Sequence, residues 1–301
     1  MNSKTATNAL WQRLISKRVR HTTTKIQVMS DLHLELSEDY LSFTIPPRAP
    51  YLLLAGDIGR FSQQDRYIRF LRHQCTQFVH IYLVLGNHEF YGLSHEGGLK
   101  LAASIMEDPE LRGKVTILNR TRVDLSTTVT ILGCTLQSRI FDEARDVVAQ
   151  KVADFRRIEG WTVDDHNREH YIDLDWLRAE IKAISTEEPQ RSIVIVTHHA
   201  PSNAGTSDPK HKQNPWNSAF STDILESQLA KWNGVENIKF WVFGHTHWCA
   251  DFQSGNMRVV SNQRGYVLPD ALMKSGSETA PPAKSANYPN GFDVGKCIVL
   301  P

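Results

Sequence analysis

The stretch FWVFGHTHW, residues 240–248, decides how this chain folds. An apolar run ends at Gly244, and His245 and His247 follow, one residue apart. Side chains two apart on an extended chain point to the same side. Both imidazoles could therefore face one point in space. Alone, GHTH fits equally well with two solvated histidines after a strand. Four other segments repeat the pattern: KIQVMSDLH (25–33), YLLLAGDIG (51–59), VHIYLVLGNHE (79–89) and SIVIVTHHAP (192–201). Each has a short core rich in Val, Ile, Leu or aromatics, which suits a buried strand, and then breaks into a polar turn.

Working outward, VTIL (115–118), VTILGCTL (129–136) and MRVVSN (257–262) are further strand candidates. Helical spacing is present in 65–75, 99–108, 171–184 and 222–232. Strands alternating with helices predict a layered α/β domain. The segment 138–167 is polar, charged and long for a connection, as lids and substrate loops often are. A second long loop spans 199–220, and 274–290 reads as a surface loop before a last short strand. No internal repeat or dividing linker is apparent. The expected organisation is a basic extension over 1–24 and one domain over 25–301.

The totals narrow the function classes. The chain has 301 residues, 41% of them hydrophobic, enough for a substantial core. A net charge of +1 gives no global argument for a nucleic-acid or membrane partner. Residues 1–25 carry six basic and no acidic side chains, which leaves the remainder net acidic. A basic N-terminal arm is the simpler account of that stretch, with a mitochondrial transit peptide as the alternative to a cytoplasmic location. No segment approaches the roughly 20 apolar residues that span a bilayer. Cys75, Cys134, Cys249 and Cys297 form no CxxC pair and read as buried free thiols.

Each of the five strand ends offers a metal ligand: Asp31 and His33, Asp57, Asn87 and His88, His198 and His199, His245 and His247. Ligands in open α/β sheets gather at the carboxyl ends of strands, so these residues are expected to converge. Carboxylate, imidazole and amide without thiolate suit Mn, Fe, Zn or a similar divalent ion. The set exceeds what one tetrahedral zinc needs, and two metal ions sharing a carboxylate fit it better. The remaining histidines, among them His166 and His170, are expected on solvated or helix surfaces.

In this order, DLH, GD, GNHE, THHAP and GHTH resemble the five motifs of the calcineurin-like metallophosphoesterase superfamily, from about Lys25 to about Asn262. The resemblance implies a four-layer α/β/β/α sandwich of two mixed sheets. It implies one metal on Asp31, His33, Asp57 and His247, and a second on Asp57, Asn87, His198 and His245, with Asp57 the bridge. His88 resembles the non-ligand histidine that contacts the phosphoryl oxygen or assists the leaving group. His198 is preferred over His199 because it follows the strand directly; His199 either lines the site or caps the turn. The implied reaction is attack of a metal-bridging hydroxide on the phosphorus of a small phosphodiester or phosphomonoester.

Protein phosphatases of the family resemble one another in GDxxDRG; this chain has GDIGR, with Arg60 at a different spacing. The compact motifs are more similar to the small-molecule and nucleotide phosphodiesterase branch, with a nucleotide as one candidate substrate. Arg60 and Arg264 are candidate substrate contacts. Phe90, Tyr91 and Trp216 either stack on a base or pack their loops, and packing is the preferred role. The rival classes are a nuclease, disfavoured by the net acidic body, and an inactive scaffold, which predicts lost ligands where none is lost.

Overall fold

Apolar residues on both faces of the central strands dictate a buried sheet rather than a half-solvated one. The computed structural model describes residues 23–36, 38–267 and 290–300. The basic N-terminal stretch up to residue 22 and most of the 274–290 loop lie outside the described residues. One five-stranded sheet has the order β11-β1-β2-β3-β4, from Cys297–Leu300, Thr24–Met29, Tyr51–Ala55, His80–Val84 and Val115–Leu118. The other, six-stranded, has the order β5-β6-β7-β8-β10-β9: Thr121–Asp124, Val129–Gly133, Ser192–Val196, Ile238–Phe243, Met257–Ser261 and Ala250–Ser254. Both sheets are mixed. β1 to β4 are parallel and β11 is antiparallel to β1. β6, β7, β8 and β10 are parallel, flanked by antiparallel β5 and β9.

The period-2 alternation of each strand assigns its side chains to layers. Leu53, Ala55, Tyr82 and Val84 meet Val194, Val196, Phe240 and Val242 between the sheets. Their neighbours Leu52, Leu54, Ile81 and Leu83 face outward onto helices α1 (Gln64–Gln74) and α2 (His95–Met106). Ile193, Ile195, Trp241 and Phe243 pack on the opposite side against Leu174, Leu177 and Ile181. These last three belong to a long helix, Val163–Glu187, which starts with a Thr162–Asp165 capping box. The result is the α/β/β/α sandwich implied by the motifs.

The structure departs from expectation in several places. Residues 222–232 are not an α-helix; only Leu229–Lys231 forms a 3-10 turn. The amides of Thr222 and Ile224 instead donate to Ala200 and Pro201, so pairing with the loop after β7 overrides the local periodicity. Strands β5 and β9 are half-exposed edges whose sequences lack the apolar run that marks the others. Segment 138–167 folds into α3 (Arg145–Lys151), the single turn α4 (Asp154–Arg157) and the start of α5 (Val163–Glu187). It buries Ile140, Val148 and Val152 in a small core of its own. His166 and His170 are buried, because α5 turns them toward the end of β6, where His170 Nδ1 lies 2.5 Å from the Gln137 carbonyl oxygen. Cys75 and Cys134 are buried, whereas Cys249 and Cys297 are half-buried, since each sits at an edge of its sheet.

Trp241 is the largest fully buried side chain, and its indole N–H donates to Thr197 Oγ1 at 3.0 Å. Trp241→Ala should cost about 3–5 kcal/mol of unfolding free energy in urea titration. A loss below about 1 kcal/mol would contradict this packing.

Candidate metal centre

The parallel strands β1, β2 and β3 present their carboxyl ends on one edge of their sheet, and β7 and β8 do the same on the other. The two edges are sewn together. Ser30, just past β1, donates its amide to Asn262 and accepts from Arg264, and Gly265 donates to the Asp31 carbonyl. Thr135 Oγ1 donates to the Leu85 carbonyl across the sheets at 2.8 Å. Turning sharply at the strand ends requires unusual backbone. Asp31, His33, Asp57, His245 and His247 all have positive φ, between 47° and 72°. Non-glycine residues pay roughly 1–3 kcal/mol each for such conformations, which persist only where the surroundings impose them.

Two glycines make room for the side chains. A Cβ on Gly86 would lie 2.2 Å from Asp57 Oδ1, and one on Gly56 would lie 2.3 Å from His198 Nδ1. Only glycine allows strand ends to approach that closely.

Two groups of donor atoms result. In the first, His33 Nε2 and His247 Nε2 are 2.9 Å apart, and Asp31 Oδ1 lies 3.5 Å from His247 Nε2. In the second, His198 Nε2 lies 3.1 Å from Asn87 Oδ1, 3.2 Å from His245 Nδ1 and 3.4 Å from Asp57 Oδ1. The other oxygen of Asp57, Oδ2, is 3.8 Å from His33 Nε2. One carboxylate thus offers one oxygen to each group. Donors held about 2.1 Å from a common cation lie roughly 3–3.5 Å from one another, so the spacing fits divalent ions. The donors are all nitrogen and oxygen. Burial pushes the pKa of His245 and His247 down, to about 4 for His247, toward the neutral form that ligates metals, whereas the Asp57 charge outweighs burial at His198 and raises it to about 10, a proton that a bound cation would have to displace.

A surrounding layer of hydrogen bonds aims these donors. His198 Nδ1 lies 2.9 Å from the Ala55 carbonyl, which leaves Nε2 for the centre. Asp154, fully desolvated on α4, accepts from Asn87 Nδ2 at 2.7 Å and from the Tyr91 hydroxyl at 2.6 Å. That contact turns the Asn87 amide oxygen toward His198. Glu89 is buried and accepts from the amides of Asp57, Ile58 and Gly86 at 2.8–3.0 Å, so it ties the GD turn to the GNHE turn. Burial and the Asp57 charge push its carboxyl up to about 7.

His88 lies close to the same atoms: with His33 and Asp57 it makes a third set that could hold a metal, its Nε2 4.0 Å from Asp57 Oδ2. Its Nδ1 lies 2.7 Å from Glu35 Oε1, and its Nε2 faces the Tyr266 hydroxyl at 3.3 Å. Burial opposes a charge on His88, but Asp57 and Glu35 outweigh it and raise its pKa. Burial likewise opposes charge on Glu35, yet the His33 ring at 3.6 Å and the hydrogen bond with His88 hold it down to about 2.

His199 belongs to neither donor group. Its ring sits against His245 at 4.0 Å between centroids and against His166 at 5.6 Å. Arg60 lies at the rim, its Nε 3.8 Å from Glu35 Oε1. Arg264 is buried, donating to the Leu32 carbonyl and to Asp39 Oδ2, with its guanidinium over the Phe43 ring. It braces the loop that carries Asp31 and His33. Phe90 and Tyr91 are buried packing residues. Glu35, Asp154 and Tyr266 were not legible as site residues. Glu35 has a signal in hindsight, since DLHLE places it two residues beyond His33, whereas Asp154 reaches the centre only through tertiary packing.

A family model, calcineurin-like phosphoesterase, matches residues 24–249. The chain belongs to that family. The phosphoesterase is 25% identical over 272 residues to uncharacterized protein L509 of Acanthamoeba polyphaga mimivirus, covering 80% of this chain and 91% of the viral one. Its fold matches the phosphopantetheinyl hydrolase of Mycobacterium tuberculosis with a TM-score of 0.61 at 16% identity, over 88% of this chain and 98% of that one. Family and donor groups together make it a metal-dependent phosphoesterase. Among the described residues no helix is long and apolar enough to cross a membrane.

Asp154→Ala should weaken Mn²⁺ binding about 10–100-fold, measured by equilibrium dialysis. Unchanged Mn²⁺ affinity in a folded variant would remove Asp154 from the support of the centre.

Proposed function

We propose that the protein hydrolyses a small phosphodiester or phosphomonoester at a two-metal centre bridged by Asp57. The observation that carries this is the Asp57 carboxylate, which turns Oδ1 to His198 and Oδ2 to His33. Asp31, His33, Asp57 and His247 would hold one divalent ion, and Asp57, Asn87, His198 and His245 the other. When bound, such a pair supplies Lewis acidity to the phosphoryl oxygens and an activated water.

The rest of the chemistry falls to the chain's own side chains. His88 Nε2 points over the centre from a ring fixed at Nδ1 by Glu35, so it can give a hydrogen bond or proton to the departing oxygen. Glu35 sets the orientation of that ring and favours its protonated form. The cluster opens to solvent on the side of His247, 27% exposed, and Tyr266, 55% exposed, and substrate would enter there. Tyr266 lies against the rings of His33 and His247, at 4.5 and 4.4 Å. It would border the bound phosphoryl group.

The Mn²⁺-loaded protein should hydrolyse bis(4-nitrophenyl) phosphate or 4-nitrophenyl phosphate, and the ratio of the two rates assigns the preferred ester class. Asp57→Ala should reduce turnover to background. Turnover of Asp57→Ala at the wild-type rate would contradict the bridge.

His88→Ala should lower kcat by roughly 10²–10⁴-fold, and more for alkyl than for nitrophenyl leaving groups. Glu35→Gln should retain much of the rate that Glu35→Leu loses, since an amide oxygen can still accept from Nδ1–H. Equal rates for those two variants would show that Glu35 does not act through His88.

A further inference from the structure

Beside His88 the rim carries two cations that the reaction at Asp57 does not use. Arg60 follows β2 in the GDIGR turn, and Arg157 is the last residue of α4. They come from distant parts of the chain, yet both guanidinium carbons lie over the same ring, Tyr91, at 5.7 and 5.5 Å from its centroid. That ring in turn packs on His88, with centroids 4.2 Å apart. The placement of Arg157 is built in. It stands three residues after Asp154, on the same side of the helical turn. Asp154 is fixed by Asn87 and Tyr91, and the Arg157 carbonyl accepts from the Gly92 amide at 2.8 Å.

Neither guanidinium makes a hydrogen bond to a carboxylate among the described residues. Among the described residues, Arg157 has no carboxylate within 4.0 Å. Arg60 has Glu35 at 3.8 Å, but the same Glu35 oxygen is already taken by His88 at 2.7 Å, and Arg60 Nε is buried without a hydrogen-bond partner. Guanidinium N–H groups match the geometry of phosphate oxygens, and a guanidinium held against a ring keeps them available.

We propose that Arg60 and Arg157 form an anion subsite on the leaving-group side of the centre, and that the substrate is a diphosphate. This rests on the reading of the centre given above. One phosphorus sits at Asp57 and the neighbouring phosphate lies on the two arginines. The step is hydrolysis: the oxygen of water bonds to the phosphorus at the centre, and the bond from that phosphorus to the bridging oxygen breaks. The departing phosphate keeps the electron pair of the broken bond, held by Arg60 and Arg157, and the proton from water passes to solvent.

The test uses the full chain loaded with Mn²⁺ and two probes that share only a diphosphate and a nucleoside, ADP-ribose and UDP-glucose. Both should compete with bis(4-nitrophenyl) phosphate, and calorimetric titration should show both binding. Arg157→Ala should weaken the two diphosphates about tenfold or more, with a much smaller change in KM for the nitrophenyl diester, and Arg157→Lys should fall between. The proposal is overturned if neither diphosphate binds the wild type, or if Arg157→Ala shifts diphosphates and diester alike, or shifts neither. Absence of diester hydrolysis with diphosphate binding intact would instead count against the hydrolytic reading of the centre.

Discussion

The carboxylate of Asp57 is 2% exposed and is surrounded by imidazoles rather than water. An ionised group taken out of water must be repaid by partners, and burial by itself would raise its pKa. Instead the His198 and His88 rings hold it well below the usual carboxylate range. The remaining features of the edge follow from this one buried anion. Its two oxygens face different donor groups, so positive charge is called for on both sides. His33 and His247 on one side, and His198 and His245 on the other, can hold a cation only if the nitrogens of each pair reach one small volume.

Reaching it is what bends the backbone. Five of the seven proposed ligands hold positive φ, and the amides of four of them, Asp31, His33, Asp57 and His245, are tied down by hydrogen bonds. The Asp31 amide donates to the Gly56 carbonyl, the His33 amide to Asp57, and the His245 amide to the Asp31 carboxylate. Glu89 performs the same service between β2 and β3 by accepting three amides from both turns. The strain is sustained by the rigidity of the two sheets behind it. Their facing layer of Val, Leu and Ile residues fixes the strand ends to within the tolerance that metal ligation demands.

Much of this was legible in the residues. The short apolar-rich runs of β1, β2, β3, β7 and β8 suit strands covered on both faces, and each is followed by a Gly, Asp, Asn or His. The sandwich and the two donor groups follow once those strands are parallel. What was not legible depended on tertiary contact. The stretch 222–232 has helical spacing, but pairing of Thr222 and Ile224 with the loop after β7 gives it turns. His166 and His170 look like surface residues on an amphipathic helix, yet the helix places them over the end of β6. Asp154 lies 67 residues from the Asn87 side chain it orients, inside a stretch whose polar composition suggested a lid or substrate loop.

The central claim is that Asp57 bridges two metal ions. Anomalous diffraction from crystals of the Mn²⁺-loaded protein tests it most directly. Two peaks about 3.5–4 Å apart, one on each oxygen of Asp57, are the predicted result. A single peak, or peaks that leave Asp57 uncoordinated, would contradict it.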